Sequence, residues 1–102
     1  MIKHRNECPV MHAMDIIGGK WKLPIIFNLS IGAHRFGGLK RALPGITQQM
    51  LSKQLKELET HGLVLRKPYA EVPPRVEYSL TKKGFGILPV VESIKEWSES
   101  HI

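Results

Sequence analysis

Apolar residues recur at helical spacing up to about residue 60, alternate as in strands just beyond Gly62, and return to helical spacing after Thr81. Pro9 follows Cys8 and suits the first position of a helix, where its missing N–H costs nothing. From there Val10, Met14 and Ile17 form an apolar stripe, and Gly18-Gly19 ends the element. A second helix is expected from near Lys20, with Trp21, Ile25, Ile26 and Leu29 on its apolar side and Pro24 within or just past its first turn. Ile31-Gly32 closes it. A short helix from Arg35 to Leu43 follows, with Phe36, Leu39 and Leu43 on one face. Gly37 and Gly38 weaken that helix by about 1 kcal/mol each relative to Ala, so packing must hold it.

Pro44-Gly45-Ile46 reads as a turn and Thr47 as the N-cap of a helix running to about Thr60, with Gly62 placed for a left-handed C-terminal cap. Leu63–Lys67 and Val76–Leu80 read as two strands, joined by a stiff loop, Ala70–Pro74, that contains two prolines. Thr81 then caps a final helical stretch in which Leu88, Val91, Ile94 and Trp97 share a face. Pro89 is expected to kink or divide it. Two helices around a tight turn, followed at once by a ribbon, predict a mainly α fold with a small β-ribbon: a winged helix-turn-helix.

Residues 1–102 fit one domain, with no internal repeat and no linker long enough to separate two. The core is small, so association between copies would help to bury the remaining apolar surface. No run approaches the roughly 18 apolar residues that span a bilayer, and no apolar stretch follows Lys3 and Arg5 as in a secretory signal. A soluble cytoplasmic protein is expected. Its one cysteine, Cys8, excludes an intramolecular disulfide or a multi-cysteine zinc site within one chain.

The net charge of +6 is unevenly placed. All of the excess lies between His34 and Lys83, where ten Lys or Arg face only Glu57, Glu59, Glu71 and Glu77; bases and acids cancel in the flanks. Within that span the helix after Thr47 is the most informative element. At 100° per residue Leu51, Leu55 and Leu58 fall within about 60° of arc and define a buried side. Gln49, Lys53, Lys56 and Thr60 lie roughly opposite, with Ser52 to one side and Gln48 near the N-terminal end. Such a face, with no carboxylate on its central line, suits DNA: glutamine pairs with adenine, and lysine reaches guanine or phosphate. Lys40 and Arg41 on the preceding helix, and Arg66, Lys67 and Arg75 on the ribbon, would hold phosphates. An amphipathic surface helix could also look like this, and a winged helix that serves as a protein-interaction module is the alternative.

An ordered set of landmarks runs from Cys8 to Trp97. They are Cys8-Pro9-Val10, Ile17-Gly18-Gly19-Lys20-Trp21, Arg35-Phe36 with Leu39, Leu43-Pro44-Gly45-Ile46, and Met50-Leu51-Ser52 with Leu55 and Leu58. Gly62-Leu63, the run Val72 to Thr81, and Gly84 complete it. On these residues the chain resembles the bacterial HxlR-type winged helix-turn-helix transcriptional regulators, relatives of the MarR group. The resemblance implies a homodimer joined by helices at about 9–18 and 82–100, with a DNA-reading core at about 34–83. Val10, Met14, Leu88, Val91, Ile94 and Trp97 would form the interface. It also implies that the helix after Thr47 enters a major groove, that the Tyr69–Arg75 loop is the wing, and that the operator is roughly palindromic. The Gly37-Gly38 pair makes a looser third helix than the family pattern suggests.

Some members of that family respond to oxidants or electrophiles through a cysteine at the Cys8 position. Here a helix N-terminus and nearby Lys3, His4 and Arg5 favour the thiolate, while Glu7 opposes them. Two readings of Cys8 stand, a sensor or a residue that packs the dimer helix. His4, Cys8 and His12 would align only if the helix extended back past Pro9, so neither a metal nor a cofactor is expected. Trp21, Phe85 and Trp97 suit core or interface anchors. No phosphate loop, no nucleophile motif, and no His partner for Glu57/Glu59 or Glu96/Glu99 points to catalysis, so the chain is not read as an enzyme.

Overall fold

The computed structural model describes residues 8–102; the roles suggested for Lys3, His4, Arg5 and Glu7 lie outside them. Helix α1 spans Pro9–Ile17, α2 Lys22–Ser30, α3 Phe36–Ala42 and α4 Gln48–Thr60. Strands β1, Val64–Tyr69, and β2, Arg75–Leu80, follow, then α5, Lys82–Phe85, and α6, Leu88–His101.

Helix α2 is the axis of the fold. It packs on α3, α4, β2 and α6, and its Ile25 and Ile26 are wholly buried. Leu39 from α3, Leu51, Leu55 and Leu58 from α4, and Leu63 ahead of β1 close the core around them. Helix α1 reaches this core only at its C-terminal end, through Ile16 and Ile17.

Local chemistry sets the ends of α4. The Thr47 hydroxyl accepts the Met50 N–H at 3.1 Å, which satisfies one of the helix's orphan donors. Gly62 takes φ +75° beyond the C-terminus and turns the chain into β1. Thr81 ties that corner to α5: its hydroxyl donates to the Gly62 carbonyl at 2.5 Å and accepts from Gly84 N–H at 3.0 Å.

The structure moves several predicted boundaries. Helix α2 starts at Lys22 rather than near Lys20, because Gly19 turns the chain at φ +94° and Trp21 becomes the N-cap. Strand β1 continues past Lys67 through Pro68 to Tyr69, in register with Val76 and Arg75 of the antiparallel β2. A two-stranded sheet leaves one edge of β1 free, so Pro68 costs no ladder bond on that side. The wing loop therefore narrows to residues 70–74, with a cis bond between Val72 and Pro73. After Thr81 the helix divides at Gly86-Ile87, which puts Pro89 at the second position of α6.

Candidate nucleic-acid interface

Gln49, Lys53 and Lys56 are exposed along α4, as the 100° spacing requires, and Ser52 to one side and Gln48 in the first turn are exposed as well. Lys40 and Arg41 are exposed in the last turn of α3. The guanidinium of Arg41 lies back over Gly37 and Gly38, where a Cβ on Gly37 would approach its Nη1 to 3.3 Å. The two glycines thus leave room for a basic side chain to lie close to its own helix.

Of the two acids of α4, Glu59 lies on the flank of Ser52 and Lys56, while Glu57 is turned away from this row. Glu57 accepts a 2.6 Å hydrogen bond from the Lys22 ammonium, which is buried in the first turn of α2. That bond holds the Glu57 carboxyl below its ordinary range; burial opposes it, and the charges of Lys22, Lys53 and His61 reinforce it. The pair fastens α4 to α2 and neutralises a carboxylate beside the basic face. The sequence reading missed it, although a signal was present: Lys22 stands one turn ahead of Ile25, Ile26 and Leu29, on the apolar side of its helix.

In the wing, Arg66 and Lys67 are exposed, but Arg75 is half-buried and engaged. It pairs with Glu71 and, at 3.0 Å, with Glu77, and its guanidinium lies 4.0 Å from the centre of the Tyr69 ring. Hydrogen bonds to Glu71 and then Glu77 raise its affinity for the proton, while Arg75 holds the Glu77 carboxyl below the usual range. Arg75 therefore braces the base of the wing. Lys83 is spent as well, donating to the His61 carbonyl at 2.8 Å beyond the end of α4.

The residues assigned to a partner surface divide in two. Val10, Met14, Ile94 and Trp97 are exposed, as is Phe85, expected as a core or interface anchor, and so are Met11 and Val90, which the sequence did not single out. Val91 belongs to the core at 8% exposure, and Leu88 is half-buried against it. A groove of about 390 Å³ runs between α2 and α6, lined mainly by Leu23, Pro24, Phe27, Val91 and Ile94. Cys8 is a free, half-exposed thiol at the N-cap of α1, and it makes no side-chain capping bond. Among the described residues no group of three His, Cys, Asp or Glu could hold a metal, and no helix is long and apolar enough to cross a membrane.

A basic helix set behind a tight turn, flanked by a short basic helix and a two-stranded wing, defines a winged helix-turn-helix of the DNA-binding class. The model of the HxlR-like helix-turn-helix family matches residues 16–102, and the chain belongs to that family, whose members are transcriptional regulators and not enzymes. The chain is 47% identical over 98 residues to the uncharacterized HTH-type transcriptional regulator YybR of Bacillus subtilis, covering 96% of this chain and 78% of that protein. Among solved structures it is similar to the redox regulator HypR in its oxidized form, with a TM-score of 0.88, 48% identity, and 93% and 98% of the two chains covered. For the reduced form of HypR the TM-score is 0.85 and the identity 49%, with coverage of 90% and 91%.

Proposed function

We propose that this chain is a cytoplasmic regulator that binds double-stranded DNA as a homodimer on a roughly palindromic operator. The observation that carries the reading is the outer face of α4, where Gln48, Gln49, Ser52, Lys53 and Lys56 stand exposed while Glu57 is tied inward to Lys22. In this reading Gln48, Gln49, Ser52 and Lys53 meet base edges in the major groove. Lys40, Arg41, Lys56, Arg66 and Lys67 hold phosphates, and Arg75 shapes the wing that carries two of them. The exposed apolar faces of α1 and α6 join two copies, which sets half-sites about one DNA turn, or a multiple of it, apart.

The likeness to a redox regulator supports control through Cys8. With one cysteine per chain, a disulfide joins two subunits or a subunit and a small thiol. Diamide would take up the two protons and two electrons released when two thiols join.

A gel-shift titration on the DNA upstream of the protein's own gene, at two salt concentrations and with or without diamide, tests both parts. Salt-sensitive binding lost after diamide supports a thiol-responsive regulator. Binding that ignores diamide removes the Cys8 switch. Failure to shift this fragment or any genomic fragment at low salt rejects the DNA-binding reading.

A further inference from the structure

Between α4 and the β-ribbon lies a cleft of about 310 Å³, lined by Ser52, Leu55, Lys56, Glu59, Arg66 and Tyr78. Two registers bring these residues together. Ser52, Lys56 and Glu59 follow one another at i, i+4 and i+7 along one flank of α4. Arg66 and Tyr78 are directly paired across β1 and β2, so their side chains leave the ribbon on the same face. The strand is held in place, since the Tyr78 N–H donates to the His34 carbonyl at 2.7 Å and its ring packs against the core.

The polar heads of this cleft are unspent. Within the described residues the hydroxyls of Ser52 and Tyr78, the Lys56 ammonium and the Arg66 guanidinium have no hydrogen-bond or ion-pair partner. Two cations and two neutral hydroxyls around one small opening match the needs of a singly charged phosphodiester, whose two free oxygens only accept hydrogen bonds. Ser52 and Lys56 also belong to the outward row of α4, so the cleft opens beside the surface that faces DNA. Glu59 limits where the anion sits. It lies seven residues from Ser52, about 10 Å along the helix, and keeps a phosphate toward the Ser52 end.

We infer that this cleft seats one backbone phosphate of bound DNA, held by the hydroxyls of Ser52 and Tyr78 between the charges of Lys56 and Arg66. The inference rests on the DNA-binding reading above, moves Ser52 from the base edges of that reading to the backbone, and adds Tyr78 to the interface. The pattern of the sequence hides Tyr78, because its ring is half-buried and reads as an ordinary inward strand position.

Phosphate contacts do not depend on sequence, so the test needs no known operator. Fluorescence anisotropy is followed with a fluorescein-labelled duplex of arbitrary sequence, about three helical turns long, over a salt titration. Tyr78→Phe removes one neutral hydrogen bond to a charged group; binding weakens about tenfold per subunit bound and the salt slope is unchanged. Arg66→Gln lowers the slope of log K against log salt by about 0.9 per subunit bound. Lys95→Gln, on α6, matches wild type. Tyr78→Phe melts with wild type, because its hydroxyl has no bond within the chain; a lower melting point overturns the proposal. Wild-type affinity in Tyr78→Phe overturns it as well, whatever Arg66→Gln does, since Arg66 would then meet phosphate elsewhere. Wild-type protein that fails to bind the duplex at low salt overturns the underlying DNA-binding reading instead.

Discussion

The Lys22–Glu57 pair has two ends in different surroundings, and cutting it from either side should have different costs. The Lys22 side chain is 10% exposed and the Glu57 side chain 41%. Lys22→Met leaves a carboxylate that can rehydrate, and the loss is that of a surface bridge, about 0.5–1 kcal/mol. Glu57→Ala strands an ammonium under α4, and the cost rises to about 2–3 kcal/mol, approaching that of breaking a buried pair. Helix propensity works the other way, since Ala is the better helix former, so it cannot account for the loss. In urea, with m near about 1.25 kcal/mol/M for a domain of this size, the midpoint falls by about 2 M for Glu57→Ala and by less than about 1 M for Lys22→Met. Both variants are compared with wild type at one protein concentration, because association would shift the midpoint.

Acid gives an independent reading of the same pair. The folded Glu57 pKa is lowered, so its stabilisation is fully present above the ordinary carboxylate value, about 4.3, and is lost as pH falls through the lower folded value. The gap between wild type and Glu57→Ala should stay constant from pH 7 to about 5 and narrow below about 4. Equal losses in the two single variants would refute the asymmetry and mean that the ammonium is hydrated. No loss in either would refute the role of the pair in fastening α4.

Glycine replacements should separate backbone strain from crowding. Gly62→Ala at φ +75° meets open space and costs only the left-handed backbone, about 1–2 kcal/mol; Gly84→Ala drives a Cβ into the Leu63 carbonyl oxygen and costs about 3 kcal/mol, both read from urea midpoints. In the wing, Lys67→Ala should lower the salt slope of DNA binding by about 0.9 per subunit, while Arg75→Ala leaves the slope unchanged because its charge is already paired. Lys53→Ala should weaken DNA binding and leave sedimentation unchanged; wild-type affinity would show that the outward row is misassigned. Trp97→Ala, which removes a ring 58% exposed on α6, should shift sedimentation toward the monomer, and unchanged sedimentation would count against that face as the interface.

The elements, and the face of α4 that looks outward, follow from local pattern. Leucines at 51, 55 and 58 can be buried on one side only by exposing Gln49, Lys53 and Lys56 on the other, and Thr47 and Gly62 mark the ends by their own chemistry. The split of the last helix ahead of Pro89 is legible for the same reason. Side-chain pairing across the fold is not. Lys22 and Glu57 stand 35 residues apart, and Arg75 counts as a free cation until the hairpin brings Glu77 and Tyr69 beside it. Val91 falls on the same sequence stripe as Ile94 and Trp97, and only the packing of α6 on α2 buries the first and leaves the other two uncovered on the single chain. Periodicity fixes which side of a helix is apolar. How much of that side the rest of the chain covers, and which charges meet there, depends on contacts between distant segments.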